Sequence, residues 1–152
     1  MRLDLLANHP HFVGTVARWY FSEWGGVPGN SLEATVARIE VKIRAAGPPT
    51  HVIAHDGDEV LGVAQWKLFE MAEYPLLENW LGSLFVSPRH RGKGVGQELS
   101  KAVAGIAKAR GVSQLYLQTQ ALDGGLYATL GWKPYERTVS RGNDVLVMVR
   151  DL

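Results

Sequence analysis

Three glycines on alternate positions, Gly92, Gly94 and Gly96, stand with Arg91 and Lys93 in the run Ser87-Pro-Arg-His-Arg-Gly-Lys-Gly-Val-Gly-Gln-Glu-Leu99. Glycine lets an anion approach the backbone without a Cβ in the way, and the two cations add a planar fork and a point charge at the same place. Upstream, Trp80 to Val86 is apolar and β-prone and is stopped by Ser87-Pro88. Downstream, Leu99, Ala102, Val103, Ile106 and Ala109 recur at helical spacing until Gly111. The glycines therefore open a helix directly after a strand, where unpaired N–H groups and the positive end of the helix dipole favour a phosphate.

Two well-known phosphate loops fail on these letters. A Walker A loop would need a glycine at Ser87 and Ser or Thr at Gly94. The dinucleotide fingerprint puts Gln97 or Leu99 at its third glycine. The pattern that fits is R-x-x-G-x-G, carried by Arg91, Gly94 and Gly96, with Tyr127-Ala-Thr-Leu-Gly131-Trp132-Lys-Pro134 following downstream. Together these resemble the acyl-CoA loop and the Tyr-x-x-x-Gly-Phe signature of the GCN5-related N-acetyltransferases (GNAT), closest from Trp80 to Pro134.

That resemblance implies acetyl-CoA as co-substrate. Phe85 and the Val86 backbone would hold the pantetheine and the thioester carbonyl, and amides from Arg91 through Gly92, Lys93, Gly94 and Val95 to Gly96 would hold the pyrophosphate. Tyr127 matches the general acid that protonates the departing thiolate, a phenol being protonated at neutral pH; the alternative is a packed core tyrosine. Gln120 stands where relatives often carry an Asn that bonds the cofactor or the next helix. Some relatives place a Glu or His base six or four residues before the Val86 position, but here those are Trp80 and Gly82. Glu70, Glu73, Glu78 or a water chain is left to take the proton, and these acids would favour a cationic acceptor. The strands flanking the loop helix are expected to splay around the pantetheine. Dimers are common in the family, which makes a homodimer an expectation.

The rest of the composition narrows the class. The chain has 152 residues, 46% hydrophobic and 20% charged, with 16 Lys and Arg against 15 Asp and Glu. That is one domain, residues 1–152, with an ordinary core and no broad basic face for nucleic acid. No cysteine is present, which removes disulfides, thiolate metal sites and a cysteine nucleophile. His51 and His55 share a strand face but lie roughly 13 Å apart, too far to share an ion, so no metal is expected. The N-terminal run is too short and too polar for a signal peptide, and no apolar stretch is long enough to span a membrane, so a soluble cytoplasmic protein is expected.

Positioning elements follow from periodicity and punctuation. Arg2 to Leu6 reads as a strand. Phe12, Val16, Trp19, Tyr20 and Glu23 form one helix face broken at Gly25-Gly26, and the resemblance implies that Trp24, beside that break, borders the acceptor site. Asn30 with Glu33 reads as a capping box before the stripe Leu32, Val36, Ile39, Ile43. Asp56-Gly57 marks a hairpin between His51 to His55 and Val60 to Phe69. Gln114 to Thr119 is a strand, Asp123 to Leu130 a short helix, and Lys133 to Ser140 and Val145 to Val149 close the chain. The order is β-α-α-β-β-β-α-β-α-β-β, an α/β fold with a mixed sheet, GNAT-like in one domain. The function expected from the resemblance is acetyl transfer to a small-molecule or peptide-borne primary amine by direct attack in a ternary complex. The alternative is an acyl-CoA-binding regulatory module without turnover.

Overall fold

Alternation along β2 (Thr50–Asp56) decides the layering, because Val52 and Ala54 pack toward one helix and Ile53 toward two others. The computed structural model describes residues 1–152. On one face lie α1 (Val13–Trp24) and α2 (Leu32–Ile43), whose Val16, Ala17 and Ile39 meet Ile53, Val60 and Val63. On the other lies α3 (Val95–Ala109), whose Leu99, Val103 and Ala107 are fully buried against the sheet.

The sheet has seven strands in the order β1-β2-β3-β4-β5-β7-β6. These are β1 (Arg2–Leu5), β2, β3 (Glu59–Leu68), β4 (Asn79–Val86), β5 (Gln114–Thr119), β6 (Lys133–Ser140) and β7 (Asn143–Asp151), with α4 (Gly125–Ala128) between β5 and β6. All neighbours are antiparallel except β4 and β5. The element order is the one the sequence predicts.

Several boundaries differ for local reasons. Ser31, not Asn30, caps α2 by accepting from the Ala34 N–H at 3.0 Å, so the Asn30–Glu33 box does not form. Asn30 instead donates to the Gly25 carbonyl and accepts from Arg38, tying the α1–α2 connection to α2. Asp56 pairs with Glu59 as the last strand residue, which leaves Gly57-Asp58 as the two-residue loop, with Gly57 at φ +53. Leu6 leaves β1 for a 3₁₀ turn and is fully buried. The short helix predicted over Asp123 to Leu130 is a single turn, and β7 begins earlier than Val145 because Arg141 and Gly142, both at positive φ, make a tight turn.

Candidate active site

β4 and β5 pair only at Trp80 and Tyr116 and then diverge. Their facing edges beyond that point have no ladder partner in each other, so an extended, amide-bearing ligand could bond there as an added strand. Within β4, Val63 opposes Phe85 and Gln65 opposes Gly82, so Ser83 and Leu84 together face Ala64. This is a β-bulge, with Ser83 at φ +49, and it re-aims the strand at the mouth of the gap. Gly82-Ser83 inside an apolar strand was the sequence signal for it.

Gly82 has a second role. A Cβ there would come within 2.7 Å of Lys67 Cδ and 3.2 Å of Glu70 Oε2. The Lys67–Glu70 ion pair, 2.7 Å long and mostly covered, thus fills the space that a side chain at position 82 would take. Lys67 Nζ also lies 3.4 Å from Ser83 Oγ, on the bulge.

On the α3 side of the gap is a cleft of about 500 Å³ lined by Phe85, Val86, Arg91, Gly92, Gly94 and Gly96 among others. Gly92 and Gly94 have φ of +72 and +82, and a Cβ on either would point into open space. Gly94 is the N-cap of α3 and no side chain caps the first turn, so the N–H groups there are left for a ligand. The cradle therefore fits a pyrophosphate. Arg91 is tied back: its Nε donates to the Val86 carbonyl at 2.9 Å and its guanidinium lies 5.4 Å from the Phe85 ring centre. It joins the loop to the strand end while the rest of its fork stays available. The Val95 side chain is core and contributes only backbone to the loop, whereas Lys93 is exposed and does not line the cleft. His90 and Leu126, which sequence reasoning did not single out, do line it.

A second cavity of about 920 Å³ passes along the gap toward α2. It shares Trp24 and Leu84 with the cleft. Tyr127 lines it from α4, and Gln120 lines it at the end of β5, away from the cleft. The segment after β5 is held instead by Thr119, whose Oγ1 accepts from the Ala121 N–H at 3.1 Å.

The Tyr-x-x-x-Gly-Trp spacing has a physical basis here. Gly131 at φ +86 turns the chain back so that the Trp132 N–H donates to the Tyr127 carbonyl at 3.3 Å, a helix-ending bond of the Schellman kind. The buried Trp132 ring then meets Tyr127 edge-on at 6.1 Å and fixes its direction. No protein group bonds the Tyr127 hydroxyl, and burial raises its pKa above the ordinary phenol value.

Of the three acids in the β3–β4 connection, Glu70 and Glu73 line the larger cavity and Glu78 does not. Cations share the cavity with these two acids: Arg38, Lys42, Lys67 and Arg141 line it as well. Only Lys67 among these four has a carboxylate partner. Buried His51 and Gln65 lie at its base, with Gln65 donating to Tyr20 at 2.8 Å.

Burial, with Lys42 and Lys67 adding like-charge repulsion, pulls the His51 pKa from 6.5 to about 4. Below about 6.5 the unfolded chain takes up a proton at His51 that the folded chain refuses until about 4. The stability contributed by a neutral ring is complete above that window and is lost as pH falls through it, on the order of 3 kcal/mol in all. His51→Gln should therefore flatten the decline in melting temperature across this window. A variant profile parallel to that of the parent would show that His51 does not drive the loss.

His55 sits in a separate group. Its ring lies 4.4 Å from that of His9, whose Nε2 bonds Asp4 Oδ2 at 2.9 Å. The three side chains bring ligand-type atoms within 4.8 Å of one another, a proximity that the His51–His55 spacing did not foretell. Asp4 is already engaged by Asn8 and the Leu5 N–H, and none of the three lines either cavity.

Residues 14–132 match the Acetyltransferase (GNAT) family. No curated protein matches the chain by sequence. Among solved structures, aminoglycoside 6'-acetyltransferase type Ii is similar with a TM-score of 0.75 at 19% identity, covering 99% of this chain and 97% of that one. An aminoglycoside 6'-N-acetyltransferase complexed with coenzyme A gives 0.75 at 16% identity, with 99% and 97% covered. A ribosomal-protein-alanine N-acetyltransferase from Brucella melitensis gives 0.74 at 19% identity over 100% of both chains. At these identities the likeness is one of fold.

Proposed function

This chain belongs to the acetyltransferase (GNAT) family, and we propose on that footing that it moves an acetyl group from acetyl-CoA to a primary amine by direct attack, with donor and acceptor bound side by side. One observation carries the reading: the glycine-lined cleft and the larger cavity share Trp24 and Leu84, and α4 lines both, with Leu126 in the cleft and Tyr127 in the cavity. Residues 1–152 act as one transferase domain, since a single sheet runs from β1 to β7.

Acetyl-CoA supplies an acetyl group activated as a thioester. The chain's own residues do the rest. Amides from Gly92 to Gly96 and the α3 dipole bind the pyrophosphate, and the open edges of β4 and β5 hold the pantetheine amides. As the amine nitrogen bonds the carbonyl carbon, the C–S pair goes to sulfur, which takes the Tyr127 hydroxyl proton. The proton released by the acceptor nitrogen goes to Glu70, whose carboxylate stands where a base at position 82 would reach. A cysteine relay is ruled out by composition.

Thiol release from acetyl-CoA is expected to require an added amine and to fall about 10²-fold in Glu70→Gln, the size of a general-base contribution. Release equally fast without amine would sink the transferase reading. An unchanged rate in Glu70→Gln would hand the proton to solvent water.

A further inference from the structure

The larger cavity carries more positive charge than a site for a simple amine needs. Arg38 and Lys42 are one helical turn apart on α2, so their side chains lie on the same face. Arg141 joins them from the β6–β7 turn. None of the three forms an ion pair. Arg38 donates only to neutral oxygens, Asn30 Oδ1 at 2.8 Å and Thr35 Oγ1 at 3.2 Å, and Lys42 has no side-chain hydrogen bond. Glu70 is paired with Lys67, which leaves Glu73 as the cavity carboxylate without an ion-pair partner. All three cations are exposed, and the pKa of Lys42 is lowered by partial burial and by the neighbouring Lys67 and Arg38, with Glu70 acting in the opposite direction and not offsetting them. An anionic group would relieve the like-charge repulsion.

Position matters as much as charge. Tyr127, Leu84 and Glu70 line the part of the cavity where the amine reacts on the reading above, and Arg38 and Lys42 line the same space from α2. A cavity of about 920 Å³ is large enough for an acceptor that reaches both. Exposed Trp24 and Phe69 line it as well, offering apolar surface to the acceptor's carbon frame. Resting on the transferase reading, we propose that the acceptor is an anionic amine, a primary amine that also carries a carboxylate or phosphate, with its anion seated on Arg38 and Lys42.

Two measurements test this, and the first needs no turnover. Benzoate, phenylphosphonate and benzylamine are titrated calorimetrically into the CoA-bound protein and into its Lys42→Met and Arg38→Met variants. At least one anion should bind saturably, at least tenfold more weakly in either variant and in high salt, while benzylamine should show no such loss. The two anions separate carboxylate from phosphate chemistry. Failure of both to bind, or binding indifferent to both substitutions, would overturn the proposal. The second compares thiol release with amino acids, their phosphonate counterparts and their amides. The acids should exceed the amides at least tenfold in kcat/KM, and the ratio should collapse in Lys42→Met with its acetyl-CoA melting shift intact. Faster turnover of polyamines or aminoglycosides would overturn the anionic assignment. Saturable anion binding with no amine acetylated would leave the anion seat standing and overturn the transferase reading instead.

Discussion

Tyr127→Phe is expected to bind acetyl-CoA as the parent does and to turn over about 10²- to 10⁴-fold more slowly, the range of a general-acid contribution. The ring loses only its oxygen, so its edge contact with Trp132 and the bond from the Trp132 N–H to the Tyr127 carbonyl both persist. The lost hydroxyl has no protein partner, so no buried group is orphaned and the fold should not suffer. Steady-state kinetics beside a melting scan with acetyl-CoA separate the two effects. The pH profile adds a check: burial holds the phenol above its ordinary range, so the parent should keep its activity past pH 10 before an alkaline limb appears. That limb should be missing in the Phe variant. Parent-like turnover in the variant would show that water protonates the sulfur and that Tyr127 serves packing. Two proteins that bind acetyl-CoA but acetylate nothing would instead favour a regulatory module.

Gly94→Val should abolish the stabilisation that acetyl-CoA confers. A ligand at 100 times its dissociation constant adds about 2.7 kcal/mol, or roughly 5 to 10 °C in a chain of this size. Gly94 sits at φ +82, which a β-branched residue adopts only with strain, and its Cβ would enter the open space of the pyrophosphate cradle. Strain also lowers the ligand-free melting point, so the readout is the shift on adding acetyl-CoA. Gly105→Val is the control, because Gly105 lies within α3 and a Cβ there meets nothing within 4 Å. Loss of the shift in Gly94→Val with its retention in Gly105→Val is the expected pair of results. Equal shifts in both would place the cofactor away from the glycine loop.

What local chemistry encodes was legible in the chain itself. Positive φ at Gly92, Gly94 and Gly131 is a property of single residues, and it carried both the phosphate cradle and the turn that presents Tyr127. Alternation likewise marked β5 to the residue, since it needs only the next few side chains, and the turn after Ser140 marked β6. The Asn30 cap missed by one position because Asn30 and Ser31 are both suitable, and only the distant Gly25 and Arg38 decide which one turns to the helix. The acceptor site depends on still longer range. Glu70 reaches the vacancy at Gly82 because β3 and β4 pair in a register shifted by the bulge. Arg38 and Lys42 face the same cavity as Arg141 only because α2, packed on α1 and β2, borders the space that the parted β4 and β5 also line. An acidic connection therefore suggested a cationic acceptor from sequence, while tertiary packing set cations in the same cavity, because charge adds up in space and not along the chain.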